Sequence, residues 1–537
     1  MALTKVSQLM IADDAITLAE FGAVGDGVTN DYTAIQAALT YASANNVPIV
    51  DFSNKTYNYG TTLNVGSVRM YGNFTLNGTG SAFLNITGSL TEIGYVNSAA
   101  SKGDSTVTLS SVSGLSEDDI IILWNSTTSS YSPHRTYYYD GEFSRILSIS
   151  GSDVELESIL QTSYSAASTN KVYKLNDINV VIDGPSFTGS GTFAIRVKYA
   201  SNSTIKPELV ETTGASAALT INKSYKVLVQ GGRYSIPYDA SGGNYGISVS
   251  NSQYVTIKDV DAFGGRHAVA TGGDDTDGSV PCRFINIKDS VLANDPASNV
   301  YCADFHGNTI DSKYSNCVVY GSVGLGGERV AIEDSEVHGL PNSGNVMLGY
   351  QELVKSSVTF KNINAHVGDG MTAFAVVGNL GASLVNDISG PYQVIVDNVF
   401  ANINASVTTF VNAYESSGEA NSWTIKDIGF GGTATGLDSV IKLSISGSGV
   451  DPSYVRISDL NFQLVNNYSV FDLSGTTLSS TDLYLPTLVD SNSPTSGYHV
   501  KNQIVYRQPA AAGTSIGWVC TASGTPGTWK SFGSIAS

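Results

Sequence analysis

Tyr254-Val255-Thr256-Ile257-Lys258-Asp259-Val260 is the stretch that decides the fold, because the chain keeps returning to its pattern. Val255 and Ile257 alternate with polar neighbours, and an aspartate follows where the run ends. Such alternation marks a strand with one buried face, and Asp, Asn or Gly at its end marks a corner. The pattern recurs in Val180-Val181-Ile182-Asp183-Gly184, Lys226-Val227-Leu228-Val229-Gln230-Gly231 and Phe284-Ile285-Asn286-Ile287-Lys288-Asp289. It continues in Val330-Ala331-Ile332-Glu333-Asp334, Val358-Thr359-Phe360-Lys361-Asn362, Tyr392-Gln393-Val394-Ile395-Val396-Asp397, Trp423-Thr424-Ile425-Lys426-Asp427 and Tyr454-Val455-Arg456-Ile457-Ser458-Asp459. Most copies are spaced by roughly 23 to 36 residues, the range of solenoids. One rung cannot bury its own apolar face, so stacking supplies the core. A β-sandwich would show hairpin signals at shorter spacing. The expectation is an all-β chain folded as a parallel β-helix.

Composition agrees. The 537 residues include 55 glycines and 29 tyrosines, only 14% are charged, and the net charge is −19. Abundant Gly, Ser, Thr, Asn, Val and Ile disfavour helices and suit strands and turns. The acidic balance argues against nucleic acid, which demands a basic stripe, and against anionic membranes. No apolar run is long enough to span a bilayer. Met1-Ala2-Leu3-Thr4-Lys5-Val6 lacks the pattern of a secretory signal. Cys282, Cys302, Cys317 and Cys520 show no CxxC spacing and are expected to be reduced.

The one clear helix signal lies near the start, in Phe21-Gly22-Ala23-Val24-Gly25-Asp26-Gly27-Val28-Thr29-Asn30-Asp31-Tyr32-Thr33-Ala34-Ile35-Gln36-Ala37-Ala38. Gly25-Asp26-Gly27 reads as a turn needing positive φ, and Asp31 as the N-cap of a helix with Ile35, Ala38, Leu39 and Ala42 on one face. Asp26, Asn30 and Asp31 lack the spacing and terminal Glu of an EF-hand, so turn and cap chemistry is preferred to a calcium loop. This motif resembles the opening of the pectate-lyase-like right-handed parallel β-helix superfamily, in which the helix caps the solenoid. Asn30 stands where that family usually has Asp. The superfamily includes lyases, hydrolases, epimerases and binding proteins, so the resemblance speaks to fold rather than chemistry.

Two regions break the repeat. Residues 96–172 read as a small β insertion, with strands at 119–124, 143–149 and 154–156. Its segment Tyr131–Glu142, rich in tyrosine with His134 and Arg135, suits either a glycan-binding loop or a surface contact. Residues 486–537 read as a short aromatic, glycine-rich β domain around Gly517-Trp518-Val519-Cys520. This tail, and the leading Ala2-Leu3-Thr4-Lys5-Val6-Ser7, resemble the ends of bacteriophage tail spike proteins. That resemblance implies a homotrimer that binds and depolymerises bacterial capsular or O-antigen polysaccharide from the virion tail, acting at the host surface after assembly in the bacterial cytoplasm. It gives residues 1–20 a particle-attachment role, 21–95 the capping helix and first rungs, and 173–485 the central solenoid with its catalytic groove. A large amino-terminal particle-binding domain, common in such spikes, is not seen in the sequence.

Candidate chemistry gathers near the middle. Gly264-Gly265-Arg266-His267 sets a guanidinium beside an imidazole, Asp304-Phe305-His306 follows about one repeat later, and Glu328-Arg329 comes after that. Residues in register on stacked strands form ladders about 4.8 Å apart, so Arg266, His267, Asp304, His306 and Glu328 are expected to share a groove. Alternation sends Asp304 and His306 to one face; with Phe305 in the core they would face solvent together. Asp275, within Asp274-Asp275-Thr276-Asp277, is a further candidate acid, though solvated loops often look the same. Tyr301, Arg329, Tyr350, Glu336 and His338 are candidate substrate contacts. The six histidines show no compact metal spacing, so no metal and no cofactor is expected.

Three readings compete. Hydrolysis requires two carboxylates across the scissile bond, and Asp304 with Glu328 or Asp275 suits it. Elimination requires a base and a group that neutralises a uronate, and His267 or His306 with Arg266 suits that. Hydrolysis is narrowly preferred. A binding-only adhesin would gain avidity from a trimer but has no reason to stack Arg, His and Asp at one height. Glu415 and Glu419 are candidates to complete a site between subunits.

Overall fold

The computed structural model describes residues 15–128, 138–214, 216–238, 243–340, 348–367, 392–403, 409–415, 422–432, 439–445, 455–461, 469–472, 483–484, 488–495, 499, 501–524 and 526–537. They form two compact units, one holding the residues up to 298 together with 308–312, the other holding 299–307 and 313 onward.

The first unit opens on the helix Tyr32–Asn45, whose Ile35, Ala38, Leu39 and Ala42 are buried, the apolar face expected from their spacing. It stops at Asn46, where φ of 52° turns the chain out of the helix. Asp31 occupies the N-cap position without capping. Its carboxylate instead accepts the N–H groups of Val24 (2.7 Å) and Gly25 (3.0 Å), tying the preceding turn to the helix. Gly25 and Gly27 have φ of 66° and 74°, which explains why the turn needs them.

Behind the helix run three parallel ladders. One stacks Val68–Gly72, Val180–Gly184, Ser201–Pro207, Tyr225–Gln230 and Gln253–Lys258. The second stacks Thr75–Gly78, Ser186–Gly189, Leu209–Glu211, Arg233–Ile236, Asp261–Gly264 and Val291–Asn294. The third stacks Leu84–Thr87, Phe193–Lys198, Ala217–Asn222, Tyr245–Ser250 and His267–Gly272. In the first ladder Met70, Ile182, Ile205, Val229, Ile257 and Ile287 fall in register and are fully buried. Each such side chain stabilises the fold by about 1.5–3 kcal/mol. This aliphatic stack is the core that the repeat implied.

Corners use two devices. Asp259 and Asp289 sit at φ of 56° and 53°, the left-handed region that short Asp and Asn side chains tolerate. Buried serines then satisfy the bent backbone. Ser203 donates to the Ser201 carbonyl (2.8 Å) and accepts the Val180 N–H of the neighbouring rung (2.9 Å), and Ser224 and Ser252 repeat the arrangement.

Set into the first unit is an antiparallel sheet of six strands, from Ser89–Tyr95 to Asn170–Asn176. One side buries its own core, including Ile121, Leu123, Ile146, Val154 and Val172. The other packs Trp124, Phe143 and Tyr173 against Tyr225 and Val280 of the solenoid. Within it Glu142 is only 2% exposed and accepts from the Gln161 and Thr162 N–H groups and the Tyr164 hydroxyl. Burial raises the Glu142 pKa, an effect partly countered by the positive charge of Arg283, itself buried. Residues 129–137, most of the expected glycan-binding loop, lie outside the described residues.

The second unit carries the same rung logic. The long strand Val323–His338 pairs in parallel with Leu348–Val367, which pairs with Tyr392–Ile403, Ser422–Gly432 and Val455–Asn461 in turn. Ile332, Phe360, Val396 and Ile425 stack in register and are fully buried. Asp334, Asn362, Asn398 and Asp427 turn the corners at φ of 51° to 54°. Their side chains bond along the stack, Asn362 to Asp334 at 2.7 Å and Asn398 to Asn362 at 3.0 Å. A second parallel set joins Thr409–Glu415, Ser439–Ile445 and Ser469–Asp472. The tail forms a four-stranded sheet of Leu488–Asp490, Ile504–Arg507, Gly517–Ala522 and Thr528–Phe532. The four cysteines are free and buried.

Candidate active site

The strand Ala303–Phe305 pairs with the start of Val323–His338, matching Ala303 with Val323, Asp304 with Gly324 and Phe305 with Leu325. Ala303, Phe305 and Leu325 are fully buried in the core, and the Phe305 ring stacks on Tyr314 at 4.3 Å. Asp304 projects from the opposite face, and so does the residue after next, His306. Their side chains meet, with His306 Nε2 3.1 Å from Asp304 Oδ2.

The two do not face solvent as alternation alone suggested. Asp304 is 2% exposed and His306 8%. The outward face is covered here: Gly324 and the next position in the ladder, Gly349, have no side chains, and the Tyr301 ring fills the space over both. A Cβ added at Gly324 would lie 2.3 Å from that ring. Tyr301 is therefore buried, at 4% exposure. A carboxylate in such a place needs a partner, and the imidazole supplies one. Tyr314, buried on the core side, has its pKa raised well above the usual phenol value by burial, with the Asp304 charge adding to it.

Glu328 does not join this pair. It is matched with Lys355, four positions along the strand from the Gly324 that faces Asp304. The pairing slips between Leu325 and Gly327 and again between Glu328 and Val330, where Arg329 turns the chain at φ of 53°. Glu328 thus sits at a corner, ion-paired to Arg329. The backbone of Tyr350 pairs with Leu325, and its side chain lies outside the described residues, as do the side chain of Glu415 and all of Glu419.

Arg266, His267 and Asp275 belong to the first unit. His267 is buried and stacks flat on Tyr245, its partner in the ladder, with ring centroids 5.2 Å apart and planes at 5°. Arg266 anchors its loop through the backbone, which receives Asn294 and Ser298 and donates to Asn244. Asp275 is exposed. Its neighbour Asp274 accepts bonds from Ser279, Thr276 and the buried Lys223. Burial pushes that carboxyl up, and Ser279, Lys223 and Thr276 together more than reverse the shift, holding it below the usual carboxylate range. Asp274 is a loop anchor, with its oxygens used by the protein.

A second carboxylate–imidazole set occupies another face of the second unit. Tyr320, His338 and His366 follow one another in register along three rungs. Tyr320 stacks on His338 at 4.8 Å, and His338 on His366 at 4.5 Å with planes at 6°. Glu336 Oε1 lies 3.0 Å from His338 Nε2 and 2.9 Å from His366 Nε2. Glu336-Val337-His338 was legible as a pair, whereas His366 was missed. The signal was present: Asn364-Ala365-His366 repeats the position of His338 one rung later.

Residues 212–431 match the family model described as Gp49, pectin lyase-like, and residues 85–175 match the Ig-like domain of tailspike-like proteins. No curated protein matches the sequence. Among solved structures the chain is similar to the tailspike gp49 of Pseudomonas phage LKA1, at 22% identity and TM-score 0.72, over 85% of this chain and 82% of that one. It is similar to the tailspike gp61 of Pseudomonas phage phi297, at 17% identity and TM-score 0.73, over 98% and 97%. It is also similar to the gp54 tailspike of Acinetobacter baumannii bacteriophage AP22, solved with a capsular saccharide, at 17% identity and TM-score 0.66, over 95% and 83%. The chain thus has the pectate-lyase-like parallel β-helix fold of these tailspikes, with its insertion and its central rungs each matching a tailspike-type family model.

Proposed function

We propose that this protein binds and depolymerises a bacterial surface polysaccharide as part of a phage tail, with Asp304 and His306 as its proton-transfer centre. The observation that carries the reading is the 3.1 Å contact between a carboxylate and an imidazole, both nearly removed from water, on the outward face of a solenoid strand. Asp304 fixes the orientation of the ring and favours its protonated form once a proton has been taken, the role a buried carboxylate plays beside a general base. The saccharide bound to the AP22 spike supports the substrate class.

Of the two bond-breaking chemistries, the local geometry supports elimination more directly. Hydrolysis requires a second carboxylate roughly 5–9.5 Å from the first. Glu328, the expected partner, is out of register and paired to Arg329. Elimination requires a base to remove the proton α to a uronate carboxyl and a group to neutralise that carboxyl, and His306 held by Asp304 is such a base. Hydrolysis is the second reading, favoured by the presence of Asp304 itself, with His306 then tuning its protonation. A trimeric assembly and attachment through residues 1–20 accompany the proposal.

The test records reducing ends and absorbance near 235 nm together on purified capsular and O-antigen polysaccharides. Both signals rising, and both lost in His306→Ala, is the expected result. Reducing ends alone would select hydrolysis. Neither signal on a glycan that the protein binds would overturn the catalytic reading and leave an adhesin.

A further inference from the structure

We infer that Glu336, His338 and His366 form a binding site for a divalent transition metal ion of the zinc type. One carboxylate oxygen and two imidazole nitrogens lie within 4.8 Å of one another, and the carboxylate oxygen is 2.9–3.0 Å from both nitrogens. Ligands of a tetrahedral ion, each about 2.0–2.2 Å from the metal, stand about 3.3–3.5 Å apart, near the separations here, and the two rings turn out of their stack to aim both lone pairs at one ion. The donor set, two imidazoles and a carboxylate, suits zinc or a neighbouring first-row ion and is the wrong chemistry for calcium.

One further observation points to a ligand. His366 Nε2 is hidden from solvent and, despite its close approach to Glu336, makes no hydrogen bond of acceptable angle. The two rings lie on neighbouring rungs, nearly parallel at 4.5 Å, so ladder register holds both nitrogens beside the one carboxylate. Three protein donors leave a fourth position open, and Glu336 is 41% exposed, so a water or a glycan hydroxyl can reach it. These ligands come from two rungs, which is why no compact motif announced them.

The site is independent of the proposed cleavage chemistry, and its test reads metal directly. Full-length protein stripped with a chelator is titrated with Co2+ while visible absorption is followed, then challenged with Zn2+. One Co2+ per chain, with d–d bands displaced by zinc, is expected. His338→Ala and His366→Ala should each weaken binding by at least about tenfold, and Glu336→Gln should weaken it as well. All three side chains lie on the outer face of the ladder, so circular dichroism and the melting transition should match the parent. Saturable binding absent up to millimolar Co2+, or binding that survives both histidine substitutions, would overturn the proposal. So would Glu336→Gln binding as tightly as the parent.

Discussion

The second unit holds two carboxylate–imidazole sets that differ in how they are assembled and in what surrounds them. Asp304 and His306 come from one strand at positions i and i+2, and a tyrosine ring seated on two glycines closes over their face. Glu336, His338 and His366 come from two strands and stand half-exposed at the surface. The first set is a pair in low dielectric, where a proton shared between two groups is costly to misplace. The second is a trio with an open side, where water screens charge and an ion can enter. A third acidic group sharpens the contrast. Glu142 is as buried as Asp304, but it faces two N–H groups, a hydroxyl and a nearby guanidinium rather than an imidazole. Burial alone therefore does not mark a chemical group; the partner does.

The comparison can be broken experimentally. The largest effect is expected for His306→Ala, which should lower the cleavage rate by about 10²–10⁴-fold while leaving glycan binding nearly intact, as read by initial rates and equilibrium binding. A loss below about tenfold would move the proton-transfer centre elsewhere. Glu142→Ala should cost about 3 kcal/mol of stability by leaving the Gln161 and Thr162 N–H groups and the buried Tyr164 hydroxyl without their acceptor, with cleavage per folded molecule unchanged. Denaturant unfolding together with rates at low temperature checks both parts. Gly324→Ala should cost about 1–3 kcal/mol, because the new methyl must displace the Tyr301 ring, and it should expose the Asp304–His306 pair. A changed pH–rate profile in that variant would tie the ring's position to the chemistry. His338→Ala should be the mildest, within about 0.5 kcal/mol in stability and with little change in rate, since it removes a half-exposed side chain. A rate loss as large as that of His306→Ala would make the two sets one functional system.

Acid adds a further handle. The Asp274 carboxyl is held below its ordinary pKa in the folded state. Its stabilisation is fully present above the unfolded carboxylate pKa and is lost progressively as pH falls from there through the depressed folded value. Loss through this group is thus expected to begin near pH 4 and to continue below it, and Asp274→Asn should flatten that part of a stability–pH curve.

The sequence by itself determined the rung. Alternating Val and Ile in segments such as residues 254–260, with Asp or Asn at the end, could only form one-sided strands that need neighbours. The same Asp259, Asp334 and Asn362 proved to be the corner residues in left-handed conformation. Three of the six strands of the inserted sheet were legible too, the central one as the apolar run Ile120–Trp124, which is buried on both faces. The contact of Asp304 with His306 was legible because i and i+2 share a face whatever surrounds them. Tertiary structure alone decided register and cover. Nothing in Glu328-Arg329 announced that the pairing slips there, and that slip carries Glu328 away from Asp304. Nothing local placed Tyr301 over Gly324 and Gly349, or His366 against Glu336, because those contacts join positions one or two rungs apart. A strand's own periodicity sets which way its side chains point; which side chains then meet depends on how many residues each intervening turn consumes.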